Sequence, residues 1–341
     1  MNLGCLKDKP DARDRKFVKT IHWTELQPID LREFCPPVRA QGGLGSCTAF
    51  GATQLVDFLR RKNKFKNWLP SPLFTYYATR KAENTIEEDS GATIREAIKS
   101  TARDGVTMER IWPYDVKKFK QNPPEEVWIN AEKHQSLEYL RINDGYKSEF
   151  LGCLNDGYPF IFGLNLYTSF HSFQTVLTGI VSTPDIEKEK IIGAHCMMAV
   201  GWKKIEQDGK EKEFLIVQNS WGLDWGDYGF CYIPLEYIMT NDSFDFWTIR
   251  LTEECAEDTE DLAPEPLKST PIPEPSKPNP EPIPTPNPEP IPTPNPEPPK
   301  PEPPKPEPSV VDEYEKESIW KNPITYFLIG FIGFLLFFFF G

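Results

Sequence analysis

Cys47 follows the glycine-rich run QGGLGSCTAF, residues 41–50, and enters a long amphipathic stretch. A thiol in the first turn of a helix meets unpaired backbone N–H groups and the positive end of the macrodipole, and both favour a thiolate. Gly42, Gly43 and Gly45 let the preceding backbone pass tightly, so that the N–H of Cys47 can face a carbonyl oxygen held at the thiol. Gln41, six residues upstream, brings a side-chain amide able to complete an oxyanion hole.

A lone cysteine at a helix start is most often a small buried apolar residue. A reactive one needs an imidazole as base and a group that orients it. The chain has four histidines. His22, His134 and His171 sit in polar or turn-like surroundings that suit exposed or packing roles. His195, in GAHCMMAVGW, opens a buried strand after a pair of small residues, 148 residues beyond Cys47. Asn219, in LIVQNSWGLDWGDYGFCYIP, is followed by Trp221 and Trp225 in a glycine-rich frame. Its neutral oxygen can accept the imidazole N–H and fix the tautomer without competing with the thiolate for the imidazolium charge. The Trp221 indole over that bond would keep water away and strengthen it. Chemistry of this kind needs no metal and no cofactor.

These side chains need a scaffold of helices first and strands later. SCTAFGATQLVDFLRRKNKF reads as a helix capped by Ser46, with Ala49, Leu55, Phe58 and Leu59 as its apolar stripe and Arg60 and Arg61 at its C-terminal end. SPLFTYYATRKAE and TIREAIKSTARDG read as two more, the second closed by Gly105. From about Tyr139 the pattern changes to strands: YLRIN, PFIFGLNL, HCMMAVGW, EFLIVQNS, GFCYIP and FDFWTIRL. Asp-Gly within EQDGKEKE signals a hairpin between two of them. The order implies an α+β body with two lobes, one helical and one β-barrel-like.

Composition varies sharply along the chain. Of the 35 prolines among 341 residues, 22 lie between Pro264 and Pro308, whereas residues 1–255 have globular composition. The net charge of -13 argues against a nucleic-acid partner, which would need a basic face. Seven widely spaced cysteines, with no CxxC pair and no apolar N-terminal signal, suit free thiols in a reducing compartment. Residues 256–322 read as an acidic and then proline-rich linker, favouring an extended polyproline II spacer. Its PxxP spacings also make an SH3- or WW-type partner a weaker candidate. Residues 323–341 read as a transmembrane anchor: 324–340 carry no charge, and 17 residues at a rise of about 1.5 Å span roughly the core of a thin bilayer. Lys316 and Lys321 precede this span and nothing basic follows it, so the expected topology is single-pass and tail-anchored with the folded body cytosolic.

The blocks QGGLGSCTAF, GAHCMMAVGW and NSWGLDWGDYGF, spread over residues 26–250, together resemble the papain family of cysteine proteases. The resemblance implies a two-lobed fold and hydrolysis of polypeptides through an acyl-enzyme. It implies Cys47 as nucleophile, His195 as general base and acid, Asn219 as orienter, and Gln41 with the Cys47 N–H as the oxyanion hole. Gly91 and Trp221 become candidates for lining the substrate cleft. Several positions depart from the family pattern. Leu44 stands where secreted members carry a disulfide cysteine, Thr48 replaces the usual aromatic, and EEDSGATIREAI replaces the cysteine-rich glycine turn of the cleft. The leader, about residues 1–25, is too short for a long inhibitory propeptide. This is similar to the short-leader branch of bacteria and large DNA viruses, and the tail is similar to those of iridescent-virus proteinases, whose membrane would be the host's. Acyl transfer or isopeptidase activity, and an inactive membrane-displayed binding protein, remain as alternatives.

Overall fold

The computed structural model describes residues 3–18, 26–66, 68–136, 138–207 and 209–250. The expected linker and anchor, His22 and Cys255 lie outside these. Among the described residues no helix is long and apolar enough to cross a membrane.

The N-terminal residues form a two-residue strand β1 (Cys5–Leu6), and β2 (Ile29–Asp30) follows. Three helices then succeed one another: α1 (Cys47–Lys62), α2 (Pro72–Glu83) and, after the short β3 (Ala92–Thr93), α3 (Ile94–Arg103). Next come α4 (Glu125–Glu132), β4 (Glu138–Ile142), α5 (Lys147–Asn155), β5 (Phe160–Tyr167) and α6 (Phe173–Thr178). The chain continues through β6 (Ile191–Gln207), β7 (Lys210–Gln218), β8 (Phe230–Pro234), α7 (Leu235–Ile238) and β9 (Ser243–Arg250). The three expected helices and six expected strands are all present, and β6 pairs Gln207 with Lys210 of β7 across the expected Asp-Gly hairpin.

The strands build an antiparallel sheet in the order β4-β9-β5-β6-β7-β8, with β2 added on β6. Among the described residues the expected barrel does not close: β4 and β8 stand at opposite ends of the path. Neither end is left as a bare template for pairing. Lys16 bridges in parallel to Arg141 of β4, and Ile180 bridges to Tyr232 of β8, so the edges are covered without closure. A register shift between Ala199 and Gly201 of β6 bends the long strand locally.

Helix α1 is the central element. The sequence suggests a stripe of apolar residues, yet every position from Cys47 to Arg60 is buried. Leu55, Val56, Phe58 and Leu59 share a core with Ile161, Met198, Val200 and Phe214 of the sheet. Ala49 joins a second core with Leu73, Phe74 and Tyr76 of α2. Small residues let a helix be enclosed this closely. A Cβ on Gly51 would stand 2.9 Å from Cys196 Sγ and 3.1 Å from Ile161. Glycine one turn after Cys47 therefore lets the helix start approach the strand that carries His195.

Candidate active site

His195 lies in β6 opposite Leu164, and Asn219 follows directly on β7, the next strand of the sheet. Antiparallel pairing of Met198 with Gln218 brings the two side chains together. His195 Nε2 lies 2.8 Å from Asn219 Oδ1, which also accepts the N–H of Ser220 at 2.8 Å. An amide oxygen can only accept, so Nε2 carries the proton and Nδ1 is the ring's basic nitrogen. Nδ1 is buried and has no hydrogen-bond partner among the described residues.

Trp221 stacks on the imidazole with centroids 4.8 Å apart and 28° between planes. Its other neighbours are Trp225, edge-on at 5.0 Å, and Phe170, edge-on at 5.7 Å. His171 stacks at 5.1 Å on the same indole, so this packing histidine borders the site, a location its turn-like sequence context did not reveal.

The nucleophile side is tied to the same segment. Ala40 bridges to Trp221, and Gln41 N–H donates to Ser220 O at 2.9 Å. Ser220 Oγ donates to Gln41 Oε1 at 2.7 Å, while Gln41 Nε2 donates to Leu44 O at 2.9 Å, so the amide orientation is fixed. Gln54 of α1 reaches Asn219 O at 3.4 Å. Main-chain N–H groups of Cys196, Gly4, Thr48 and Cys47 itself reach the Cys47 sulfur. Because Cys196 directly follows His195, this places the Cys47 thiol beside the strand that carries His195.

Supporting residues emerge that the sequence did not single out. Asp89 accepts the N–H of Gly45 at 3.0 Å and the hydroxyl of Tyr76 at 2.6 Å, and Tyr76 in turn accepts the N–H of Gly91. Ser46 was expected to cap α1 but makes no capping bond. Its hydroxyl lies 2.6 Å from that of Tyr114, which donates to Gln41 O, so the tyrosine outcompetes the helix N–H groups. Gly91 takes φ +72° beside this network.

The cleft is closed by the chain's own N-terminus: Cys47 and His195 are both 0% exposed. Gly4 O accepts the N–H of Ala92 at 2.9 Å, and β1 lies parallel to β3. A Cβ on Gly91 would fall 2.2 Å from Gly4 O, so only glycine admits a chain this close. Leu3 lies against Gly193, two residues before His195. Burial sets the charge state that results. It pushes the Cys47 thiol above its usual value despite the N–H groups around it. It also lowers His195 to about 4, with the Asn219 bond acting the other way and nearby His171 adding to the depression. The closed site therefore holds a neutral thiol and a neutral imidazole. Cys5, Cys35, Cys153, Cys196 and Cys231 are likewise free thiols among the described residues.

Residues 26–241 match the family described as papain family cysteine protease. An uncharacterised peptidase C1-like protein of Acanthamoeba polyphaga mimivirus is 37% identical over 276 residues, 73% of this chain and 86% of the viral protein. Chymopapain of Carica papaya is 24% identical over 213 residues, 60% of this chain and 53% of chymopapain. Among solved structures, xylellain, a cysteine protease from Xylella fastidiosa, superposes with a TM-score of 0.65 at 30% identity, covering 74% of this chain and 97% of xylellain. Bromelain of Ananas comosus, solved with the E64 inhibitor, shares the fold at 20% identity with a TM-score of 0.52, over 66% of this chain and 99% of bromelain.

Proposed function

Because the chain belongs to the papain family of cysteine proteases and is a cysteine-type peptidase, we propose that it cuts polypeptides as an endopeptidase with Cys47, His195, Asn219 and Gln41 in the roles their positions suggest. The observation that carries this assignment is the His195–Asn219 bond of 2.8 Å under Trp221, with the Cys47 sulfur set against the N–H of the residue after His195.

With the cleft open, water and substrate relieve the burial that keeps both groups neutral, and the thiol proton passes to His195 Nδ1. The thiolate attacks the peptide carbonyl. The developing oxyanion is held by the Cys47 N–H and the Gln41 amide, whose orientation Ser220 and Leu44 fix. Nδ1 then gives its proton to the leaving amine, so the C–N bond breaks and an acyl-enzyme remains. Water, deprotonated by the same nitrogen, attacks the thioester and releases the acid and the thiol. Nε2 stays protonated on Asn219 throughout, which prevents the ring from turning. Measuring peptide hydrolysis by Cys47→Ala tests the assignment: activity near wild type would refute it.

The charge-free segment at 324–340 supports the further reading that this peptidase is membrane-tethered through its C-terminus, with the folded body on the cytosolic face. Truncation before Asn322 should then free the chain from membranes without loss of hydrolysis, and protease added outside intact vesicles should release the body. A body protected inside sealed vesicles would overturn that orientation.

A further inference from the structure

The N-terminal strap, residues 3–17, is tied to the body at two places of different kind. Its tip, residues 3–6, meets the cleft through a two-residue ladder, Leu3, the buried Cys5 and close main-chain approach, with the Gly4 N–H toward the Cys47 sulfur. A Cβ on Gly4 would lie 2.1 Å from Gly45 O. None of these contacts involves a charge. Uncharged contacts over four residues offset only part of the cost of ordering them. What holds the tip in place must lie further along the strap.

The stem, residues 7–17, enters a buried cluster of ionised groups. The Asp8 carboxylate accepts the Trp247 indole N–H at 3.0 Å and the N–H of Arg95 in the first turn of α3 at 3.2 Å, and it stands 3.4 Å from the Arg141 guanidinium. The N–H of Asp8 donates to Asp245 at 2.6 Å, and the other arm of Arg141 holds Asp245 at 2.7 Å. Arg95 grips Asp14 with two bonds, of 2.9 and 2.6 Å, and also donates to Lys9 O at 2.6 Å. The Arg141 main chain bonds Arg15 O and the Phe17 N–H, each at 2.8 Å. Phe17 then enters the core beneath the sheet.

Two carboxylates buried side by side repel, and they are tolerated only while the arginines and the indole stay in place. A cluster of this kind is all-or-none: removing one partner leaves the others unpaired in low dielectric. A cleft of about 580 Å³, lined by Lys7, Asp14 and Asp144 as well, opens onto it.

We propose that this cluster is the latch of the enzyme: Asp8, clamped by Arg141, Arg95 and Trp247 against Asp245, holds the strap so that its tip lies over Cys47. The latch acts by keeping the tip at high local concentration over the cleft, and no residue of the catalytic set takes part in it. The inference rests on reading Cys47 as the reactive thiol.

The test is the rate at which iodoacetamide alkylates Cys47 in the full chain, mapped by peptide mass spectrometry, with peptide hydrolysis and thermal unfolding measured in parallel. Gly4→Val removes the tip by collision with Gly45 and leaves the cluster intact. Asp8→Ala removes the latch and leaves the tip intact. Both are expected to label Cys47 about tenfold faster or more than wild type, with an unfolding temperature near wild type for Gly4→Val and a lower one for Asp8→Ala, which strips Arg141 and Trp247 of a buried partner. Arg95→Ala cuts the ties to Lys9 and Asp14 from the body's side, and it should give the same acceleration if Asp8→Ala does not fold. Fast labelling in Gly4→Val with wild-type rates in Asp8→Ala and Arg95→Ala would overturn the latch. Wild-type labelling as fast as Gly4→Val would overturn closure by the strap altogether. Fast labelling in all three variants without any peptide hydrolysis would uphold the latch and refute the peptidase assignment.

Discussion

The cleft and the stem of the strap both bury titratable groups, and burial favours the neutral form at each, but their charged neighbours differ. Among the described residues no charged side chain bonds Cys47 or His195, so burial favours the neutral form of both, with His195 lowered to about 4. At the stem Asp8 is raised to about 6 by burial and by Asp245, and Trp247 and Arg95 hold it back from rising further. Asp245 is raised in the same sense, again mainly by burial, and Arg141 opposes the shift. The difference shows which end of the strap carries charge and which end suppresses it. Opening the strap lets His195 hold a proton more readily and Asp8 release one more readily, so the two ends make opposite demands for protons.

The largest expected effect separates the catalytic groups from the latch. In the Gly4→Val background, Cys47→Ala should lower kcat/KM by roughly 10³-fold or more, because no other group can form the thioester. His195→Ala should be comparably severe. Asn219→Ala should be milder, since the base survives and only its orientation and tautomer are lost. If Asn219→Ala proved worse than His195→Ala in steady-state kinetics, the roles would be misassigned.

A second effect bears on how the helix and the sheet bring the thiol to the imidazole. Gly51→Ala places a methyl group 2.9 Å from Cys196 Sγ, where α1 meets β6. Overpacking of this kind costs about 1–3 kcal/mol, offset by about 1 kcal/mol of helix propensity gained. Chemical denaturation should show a net loss that Cys196→Ala relieves in the same chain. Equal losses with and without Cys196→Ala would mean that contact with the His195 strand is not what requires glycine.

The smallest effect concerns pH. An ordinary aspartate titrates near roughly 3.9 and an ordinary histidine near roughly 6.5. Docked Asp8, at about 6, binds its proton more tightly than the released strap would. The proton-linked part of its contribution to closure is complete below the ordinary carboxylate value and is lost as pH rises through about 6, leaving the bonds to Trp247, Arg95 and Arg141 to hold the strap. Docked His195, at about 4, does the reverse: its contribution to closure is present above the ordinary histidine value and is lost as pH falls through about 4. The two oppose over nearly the same window. Cys47 labelling of wild type, taken relative to Gly4→Val at each pH, should therefore change little between pH 7 and 5. Asp8→Asn leaves the histidine arm dominant, so its relative labelling should rise on acidification. Identical slopes in wild type and Asp8→Asn would rule out Asp8 as the opposing group.

Much of this arrangement is legible in the sequence, for physical reasons that also mark where legibility ends. The three helices and six strands stand out as long apolar-rich segments bounded by turn residues, most of them buried continuously rather than on one face. Cys47, His195, Asn219 and Gln41 sit in blocks whose glycines and tryptophans are unusual enough to stand out. The two-residue strands β1 and β3 have no period to detect. The short helix α5 carries no clear stripe between two strands, and the sequence pattern passed it over. Asp89 meets Gly45 and Tyr114 meets Ser46 across loops whose closure leaves no local signature. Nothing in the composition of the leader marks it as a segment that covers the cleft. It nevertheless reaches the cleft because residues 3–6 run extended from an anchored stem rather than folding as a separate unit.

The central claim, hydrolysis through a thioester on Cys47, is tested most directly by trapping the intermediate. The Gly4→Val chain would be mixed with a peptide ester, quenched in acid within the first turnover, and analysed by intact and peptide mass spectrometry. The account predicts one added acyl group, mapped to Cys47, absent from Cys47→Ala and accumulating more slowly in His195→Ala. An acyl group on another residue, or ester and peptide cleavage persisting in Cys47→Ala, would contradict it.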